Sequence, residues 1–280
     1  MNAIDVQGLT KMYGNTQALA GVQFSVAEGE LFAYLGPNGS GKTTTIRILT
    51  GLMRTFGGTA MVAGYDVTLN SRKAKNQCGV VPQAVNLDRD LTVFENLMIH
   101  GRLFGLSGRS LRDRILSLLE YVELLNKKDQ FVKHLSSGQQ RRVMIVRALV
   151  HRPRILFLDE PTVGLDPAVR RQIWMLIKSI QRQKTTILLT THYIEEADLL
   201  ADRVALLCEG TVVDIATPDA LKSRLGNWAL DIYENDQMET RYFTNRRDAL
   251  HTASNPQASV NIRQVNLEDA FLQMTGKKVS

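Results

Sequence analysis

Apolar and polar positions change rhythm repeatedly along this chain, and the changes mark alternating strands and helices. Ile4 to Phe24 reads as strands, with Gly14 and Gly21 as turns. Leu31-Phe32-Ala33-Tyr34-Leu35 is a short continuous apolar run of strand type, and Thr44 to Leu49 has the apolar spacing to start a helix. Thr59 to Ala63 and Gly79 to Val81 are further short strands. Thr92-Val93-Phe94-Glu95 is a capping box that opens a helix running toward Gly105. Leu111, Ile115, Leu118, Leu119 and Val122 keep helical spacing, and Gly138 to His151 predicts another helix. Then come a buried strand at Arg154–Leu158, a helix at Ala168–Gln181, a strand at Thr185–Thr190, a helix at Ile194–Leu200 and a strand at Val204–Cys208. Strands alternating with helices predict an α/β fold with a mainly parallel sheet covered on both faces.

Thr217-Pro218-Asp219 is a helix start, an N-cap followed by proline at the first helical position. That helix is expected to end near Gly226, where the texture changes. Trp228 to Tyr233 and Thr240 to Thr244 alternate like strands, Val260 to Val265 is a candidate third, and Leu267 to Met274 has the look of a short helix closed by Gly276. A domain boundary is expected near Gly226, giving a unit at 1–226 and a small separable α+β appendage at 227–280.

Composition narrows the class. The 280 residues are 44% hydrophobic and 22% charged, ordinary for a globular chain long enough for one large domain plus a small one. No apolar run approaches the length of a membrane span, and Asp5 and Lys11 interrupt any secretory leader. Cys78 and Cys208 lack metal or redox spacing and read as buried thiols of a reducing compartment. A cytoplasmic protein is expected. The net charge of +6 suits nucleic acid, an anionic surface or a nucleotide. With no basic run or basic–aromatic ladder, nucleic acid is not expected as a partner.

The candidate chemistry is concentrated in a few segments. Gly36-Pro37-Asn38-Gly39-Ser40-Gly41-Lys42-Thr43 fits the phosphate-loop pattern and lies between a strand and a helix, the context in which that pattern binds a nucleoside triphosphate. Its amides would wrap a polyphosphate at a helix N-terminus, Lys42 would reach the outer phosphates and Thr43 would ligate Mg²⁺. Ile155 to Leu158 is apolar and ends in Asp159-Glu160. A buried strand would deliver Asp159 to Mg²⁺ and its waters, with Glu160 placed to take a proton from attacking water. Leu135-Ser136-Ser137-Gly138-Gln139 opens a helix with a hydroxyl and a glycine amide, which reads either as a second anion site or as a plain serine N-cap.

Taken in order, these segments resemble the ATP-binding subunit of an ABC transporter over residues 4 to about 226. Tyr13 resembles the aromatic that stacks on adenine. Gly36 to Thr43 is the Walker A loop, with Thr44 as a further nucleotide contact. Gln83 resembles the Q-loop glutamine, Asp159 the Walker B acid, Glu160 the catalytic glutamate, Asp166 part of the D-loop and His192 the H-loop histidine. Residues 135–139 resemble the Leu-Ser-Gly-Gly-Gln signature with one departure, Ser137, where serine tolerates a positive φ less well than glycine. Leu91 to Leu97, and Asn266 to Leu272 before Thr275-Gly276, resemble ATPase subunits of exporters for drugs, antibiotics, lipids and surface polysaccharides.

The resemblance implies a P-loop ATPase core with an antiparallel β subdomain, a helical subdomain around residues 90–150, and ATP and Mg²⁺ as cofactors. It implies Lys42, Gln83, Glu160 and His192 as catalytic residues and Thr43, Gln83 and Asp159 around the metal. It further implies a head-to-tail pair, with a second copy or a homologous ATPase, in which Tyr13 and the phosphate loop of one subunit face Ser136, Gly138, Gln139 and Asp166 of the other. Separate transmembrane permease subunits would hold the chain on the inner face of the cell membrane. A soluble ATPase of this type serving a cofactor-assembly complex stays open, as does a GTPase or kinase sharing only the phosphate loop.

Overall fold

The computed structural model describes residues 2–54, 56–234, 237–253 and 259–276. β1 (Asn2–Tyr13) and β2 (Thr16–Ala27) form a long antiparallel hairpin turning at Gly14-Asn15. β3 (Leu31–Leu35) leads into α1 (Lys42–Leu49), and β4 (Gly57–Val62), β5 (Tyr65–Asp66) and α2 (Ser71–Asn76) precede β6 (Cys78–Val81). A helical layer comes next: α3 (Val93–Leu103), α4 (Gly108–Tyr121) and α5 (Ser137–Leu149). The chain returns through β7 (Ile155–Asp159), α6 (Pro167–Arg182), β8 (Thr186–Thr191), α7 (Ile194–Leu200), β9 (Arg203–Cys208), β10 (Thr211–Ala216) and α8 (Pro218–Ser223). It ends in β11 (Trp228–Glu234), β12 (Gln237–Phe243), α9 (Arg246–Thr252), β13 (Ser259–Gln264) and α10 (Leu267–Thr275).

The main sheet runs β10-β9-β3-β8-β7-β6, parallel except at the β10 edge, and a four-stranded antiparallel sheet runs β2-β1-β4-β5. The expected α/β architecture is present. Side chains alternate across β3, β7 and β8. Phe32, Tyr34, Ile155, Phe157 and Leu188 pack toward the antiparallel sheet and α1, with Phe32 stacked on Phe24 at 5.4 Å. Leu156, Leu158, Ile187 and Leu189 pack with the helical layer. Burial on both faces is why these strands read as continuous apolar runs.

Gly21 is not a turn. It lies inside β2 at φ 88°, where the pairing steps from Leu9–Val22 to Thr10–Ala20 and leaves it as the extra residue of a bulge. The composition shows a turn-forming residue but not which strand absorbs it. The short elements β5, α2 and α9 carry too few apolar positions to stand out from loops in the sequence.

β11, β12 and β13 form their own antiparallel sheet, in the order β12-β11-β13. α10 belongs to both bodies. Its Leu267, Ala270 and Phe271 are buried in one cluster with Leu35 of β3, Ala197 of α7, Leu206 of β9 and Leu221 of α8. On its other side Asp269 shares Arg263 of β13 with Asp231 of β11, at 2.6 and 2.8 Å. Phe271→Ala is therefore expected to cost about 3–5 kcal/mol of unfolding free energy. Tyr233→Ala, on the exposed end of β11, should stay within about 0.5 kcal/mol. Denaturant unfolding of both variants checks this, and equal small losses would place α10 outside the body.

Candidate functional site

Parallel neighbours β3, β8, β7 and β6 all end at one edge of the main sheet, with Leu35 beside Thr191, Asp159 beside Thr190 and Val81 beside Leu158. The segments that leave these strands are thereby gathered in space: the phosphate loop after β3, His192 after β8, Glu160 after β7 and Gln83 after β6. The carboxyl edge of such a sheet is where open α/β folds bind ligands.

The loop from Gly36 to Gly41 is held from below, where the Gly36 amide donates to Thr191 O at 3.3 Å. A Cβ on Gly36 would lie 2.4 Å from Leu207 O, so no side chain fits. Gly41 precedes α1 at φ 107° and provides no side-chain cap. The first amides of α1 thus remain available to an anion. The Ser40 hydroxyl is buried in the loop without a hydrogen-bond partner, while Asn38 and Gly39 are exposed at its tip and Thr44 is half-buried in the first turn of α1. A buried orphan hydroxyl beside open helix amides suits an oxygen-rich anion.

Lys42 is 4% exposed. Its ammonium donates to Gly36 O at 2.8 Å and Pro37 O at 3.0 Å and pairs with Glu160 Oε1 at 3.1 Å. Thr43 Oγ1 donates to Asp159 Oδ1 at 3.2 Å, and Thr190 Oγ1 donates to the same oxygen at 2.6 Å. The other Glu160 oxygen receives Gln83 Nε2 at 3.1 Å and lies 3.2 Å from His192 Nδ1. The Glu160 backbone is left-handed at φ 48°, pinned by its amide to Thr190 O at 3.0 Å. Lys42, Thr43, Gln83, Asp159, Glu160 and His192 therefore meet in one cluster.

The other expected residues stand apart. Among the described residues no hydrogen bond or ion pair joins Tyr13, Ser136, Gly138, Gln139 or Asp166 to the phosphate loop. Tyr13 presents a half-open ring at the end of β1, its hydroxyl 3.5 Å from Met53 Sδ. Ser136 caps α5 in a reciprocal box, accepting from Gln139 N at 3.3 Å while Gln139 Oε1 accepts from Ser136 N at 3.0 Å. Ser137 has no positive φ. It is the first residue of α5, so the departure from glycine strains nothing there. Gly138 is explained by packing, since a Cβ would lie 2.5 Å from Val169 Cγ1 on α6. Asp166 caps α6 through Ala168 N and Val169 N at 3.1 and 3.0 Å.

Sequence reasoning missed Thr190, Arg141 and Glu196. Thr190 is a polar position in an apolar strand, a signal that was available. Arg141 is 4% exposed on α5 and donates to Pro82 O at 2.8 Å and Gln83 O at 2.9 Å. Burial lowers its pKa, opposed by the nearby Glu196 and Asp159 carboxylates. Glu196 is fully buried on α7. Its Oε1 accepts from Thr162 Oγ1 at 2.9 Å and Trp174 Nε1 at 2.8 Å. Burial raises its pKa against these hydrogen bonds.

A family model described as ABC transporter matches residues 19–163. A Nod factor export ATP-binding protein I of Burkholderia orbicola (strain AU 1054) is 39% identical over 99% of this chain and 98% of its own length. The protein of that name from Rhizobium meliloti (strain 1021) is 40% identical over 99% of this chain and 89% of its own. Among solved structures, an ATP-binding subunit of an ABC transporter superposes with a TM-score of 0.71 at 30% identity, covering 79% of this chain and 92% of its own. An ATP-binding cassette described as a dimer in a post-hydrolysis state with ADP and Pi superposes with a TM-score of 0.69 at 29% identity, over 76% of this chain and 98% of its own.

Proposed function

The chain belongs to the ABC transporter family as an ATP-binding, ATP-hydrolysing subunit of an exporter, and from that premise we propose how its residues divide the work. The observation that carries the proposal is Glu160, with one oxygen on Lys42 and the other beside Gln83 and His192. The phosphates of ATP lie along Gly36 to Thr44 and displace Lys42 from its loop carbonyls and from Glu160. Freed of the ammonium, Glu160 accepts a proton from a water attacking the γ-phosphate in line, and Lys42 and His192 offset the charge that grows there. Gln83 orients the water and Glu160 together. Tyr13 stacks on the adenine.

The residues fit Mg²⁺. A hydroxyl and a carboxylate, Thr43 and Asp159, already point at one another, and Gln83 adds an amide oxygen. Among the described residues no cluster of three or more His, Cys, Asp or Glu forms a dedicated metal cage. That suits an ion which binds few protein oxygens and takes the rest from phosphates and water. When bound there, the ion would neutralise phosphate charge.

We further propose a head-to-tail pair. Ser136, Gly138, Gln139 and Asp166 of one copy close over the nucleotide held by the other, a reading supported by the exposure of Ser136 and Asp166 and by the lack of any hydrogen bond from the four to their own phosphate loop among the described residues. Residues 1–226 form the ATP-binding unit, and 227–280 a small regulatory or dimerisation appendage that α10 fastens to it. No helix among the described residues is long and apolar enough to cross a membrane. In this reading the pore is a separate permease, which holds this chain against the inner face of the cell membrane and selects the cargo. A cleft of about 410 Å³ bordered by Asn86, His100, Phe104 and Arg147, next to exposed Val85 and Ile99, is the surface for that permease.

Ile99→Asp tests the docking surface. ATPase activity of the purified chain should stay within about twofold, as for an ordinary surface change, while export and co-purification with the membrane subunit are lost. Undiminished export by that variant would remove this face from the interface.

A further inference from the structure

We infer that Arg141 is the positioning residue through which the nucleotide gripped at Ser136 controls the hydrolytic geometry at Gln83 and Glu160 of the same chain, making the two sites of a pair act together. The inference rests on the head-to-tail reading above. Ser136 caps α5, the helix that carries Arg141 five positions on, about 7.5 Å along the axis. The guanidinium does not touch the nucleotide loop. It forks onto two successive carbonyls, Pro82 O at 2.8 Å and Gln83 O at 2.9 Å. The side chain of that same Gln83 donates to Glu160 Oε2 at 3.1 Å.

The connection is firm for physical reasons. Two charge-assisted hydrogen bonds from one planar group fix both distance and direction. The group is buried, and the carboxylates of Glu196 and Asp159 oppose the cost of burying it. Farther along α5, Arg147 donates to Asn86 O at 2.7 Å and to the Asn86 side chain. Both ends of the 82–86 segment are thereby tied to α5. When the partner's γ-phosphate draws Ser136 and α5 inward, the backbone of Gln83 must follow, and Glu160 with it. Glu196 adds a brace from behind, joining Thr162, two residues beyond Glu160, to Trp174 of α6.

The test uses the full chain, with ATP hydrolysis measured against ATP concentration for wild type, Arg141→Lys, Gln83→Ala and their combination. Lysine keeps the charge and loses the fork. Arg141→Lys should lower kcat about tenfold, which is 1.4 kcal/mol. Its Hill coefficient should fall from near two, the number of sites, toward one. Binding of a fluorescent ATP analogue without turnover should shift by less than about twofold. Because Arg141 acts through Gln83, the combined variant should lose no more than Gln83→Ala alone. An unchanged kcat and Hill coefficient in Arg141→Lys, or losses that multiply in the combination, would overturn the inference and leave Arg141 a packing residue. If the lysine variant does not fold, Arg141→Gln with Glu196→Gln, which removes both opposed charges, carries the same expectations. A wild-type chain that neither pairs with ATP nor responds cooperatively overturns the head-to-tail reading itself, an outcome distinct from a cooperative wild type with an unaffected variant.

Discussion

Glu160→Gln should hydrolyse ATP on the order of 10²–10⁴ times more slowly than wild type, the usual cost of removing a general base, while binding ATP at least as well. Gln keeps the length of the side chain and one acceptor for Lys42, but it cannot take the proton. Lys42, at present held at 3.1 Å by Glu160 Oε1, loses its anionic partner and turns more readily to phosphate. Thr43 and Asp159 are untouched. The interaction that turnover would discharge then persists, and the variant should accumulate as an ATP-bound pair. ADP lacks the γ-phosphate that bridges the copies and should not produce it. Adding Ser136→Arg, a large side chain at an exposed helix cap, should dissolve the pair. Size-exclusion chromatography with light scattering, alongside a phosphate-release assay, reads all of this. Hydrolysis at the wild-type rate would remove Glu160 as the base.

Lys42→Ala should abolish turnover, by about 10²–10³-fold or more on the scale of losing one fixed charge at a developing anion, and should also weaken ATP binding. The structure adds a second effect. Lys42 and Glu160 are a buried ion pair, their side chains 4% and 6% exposed. Removing one member leaves an uncompensated buried charge, a change that typically costs about 3–5 kcal/mol. Gln83 Nε2 still donates to the same carboxylate at 3.1 Å, so the loss should fall toward the lower end. Lys42→Ala with Glu160→Gln should recover most of the stability and none of the activity. Calorimetry and the ATPase assay separate the two effects. Wild-type turnover in Lys42→Ala would end the assignment of residues 36–43.

The features legible in the sequence are those that adjacent residues decide. The Thr92 capping box closes within one turn, with Glu95 N on Thr92 Oγ1 at 3.2 Å and Thr92 N on Glu95 Oε2 at 2.8 Å. β3, Ile155–Leu158 of β7 and Ile187–Leu189 of β8 are continuous apolar runs because both faces are covered, and Asp159-Glu160 at the end of β7 announces itself as two acids closing an apolar run. Pairwise geometry was not legible. Arg141 is one of two arginines side by side in the sequence, and only the packing of α5 against the Pro82–Gln83 backbone shows that it is buried. Glu195 and Glu196 stand side by side in the first turn of α7, yet Glu196 is fully enclosed because α6 brings Trp174 over it. Gly21 shows the limit from the other side, since a bulge depends on the register of two strands and not on either alone.

α10 has a consequence for how the chain comes into being. Phe271 shares its cluster with Leu35, at the end of the strand that launches the phosphate loop, although it is translated long after it. At ribosomal rates the apolar seat on β3, α7 and β9, complete once β9 has emerged, waits on the order of 3–13 seconds for its occupant. During that interval the nascent chain carries a greasy opening beside its nucleotide pocket, a natural foothold for chaperones and for aggregation. Arrival of α10 closes it and draws the β11–β13 sheet in behind, so maturation of the ATPase is timed by a helix that takes no part in its chemistry.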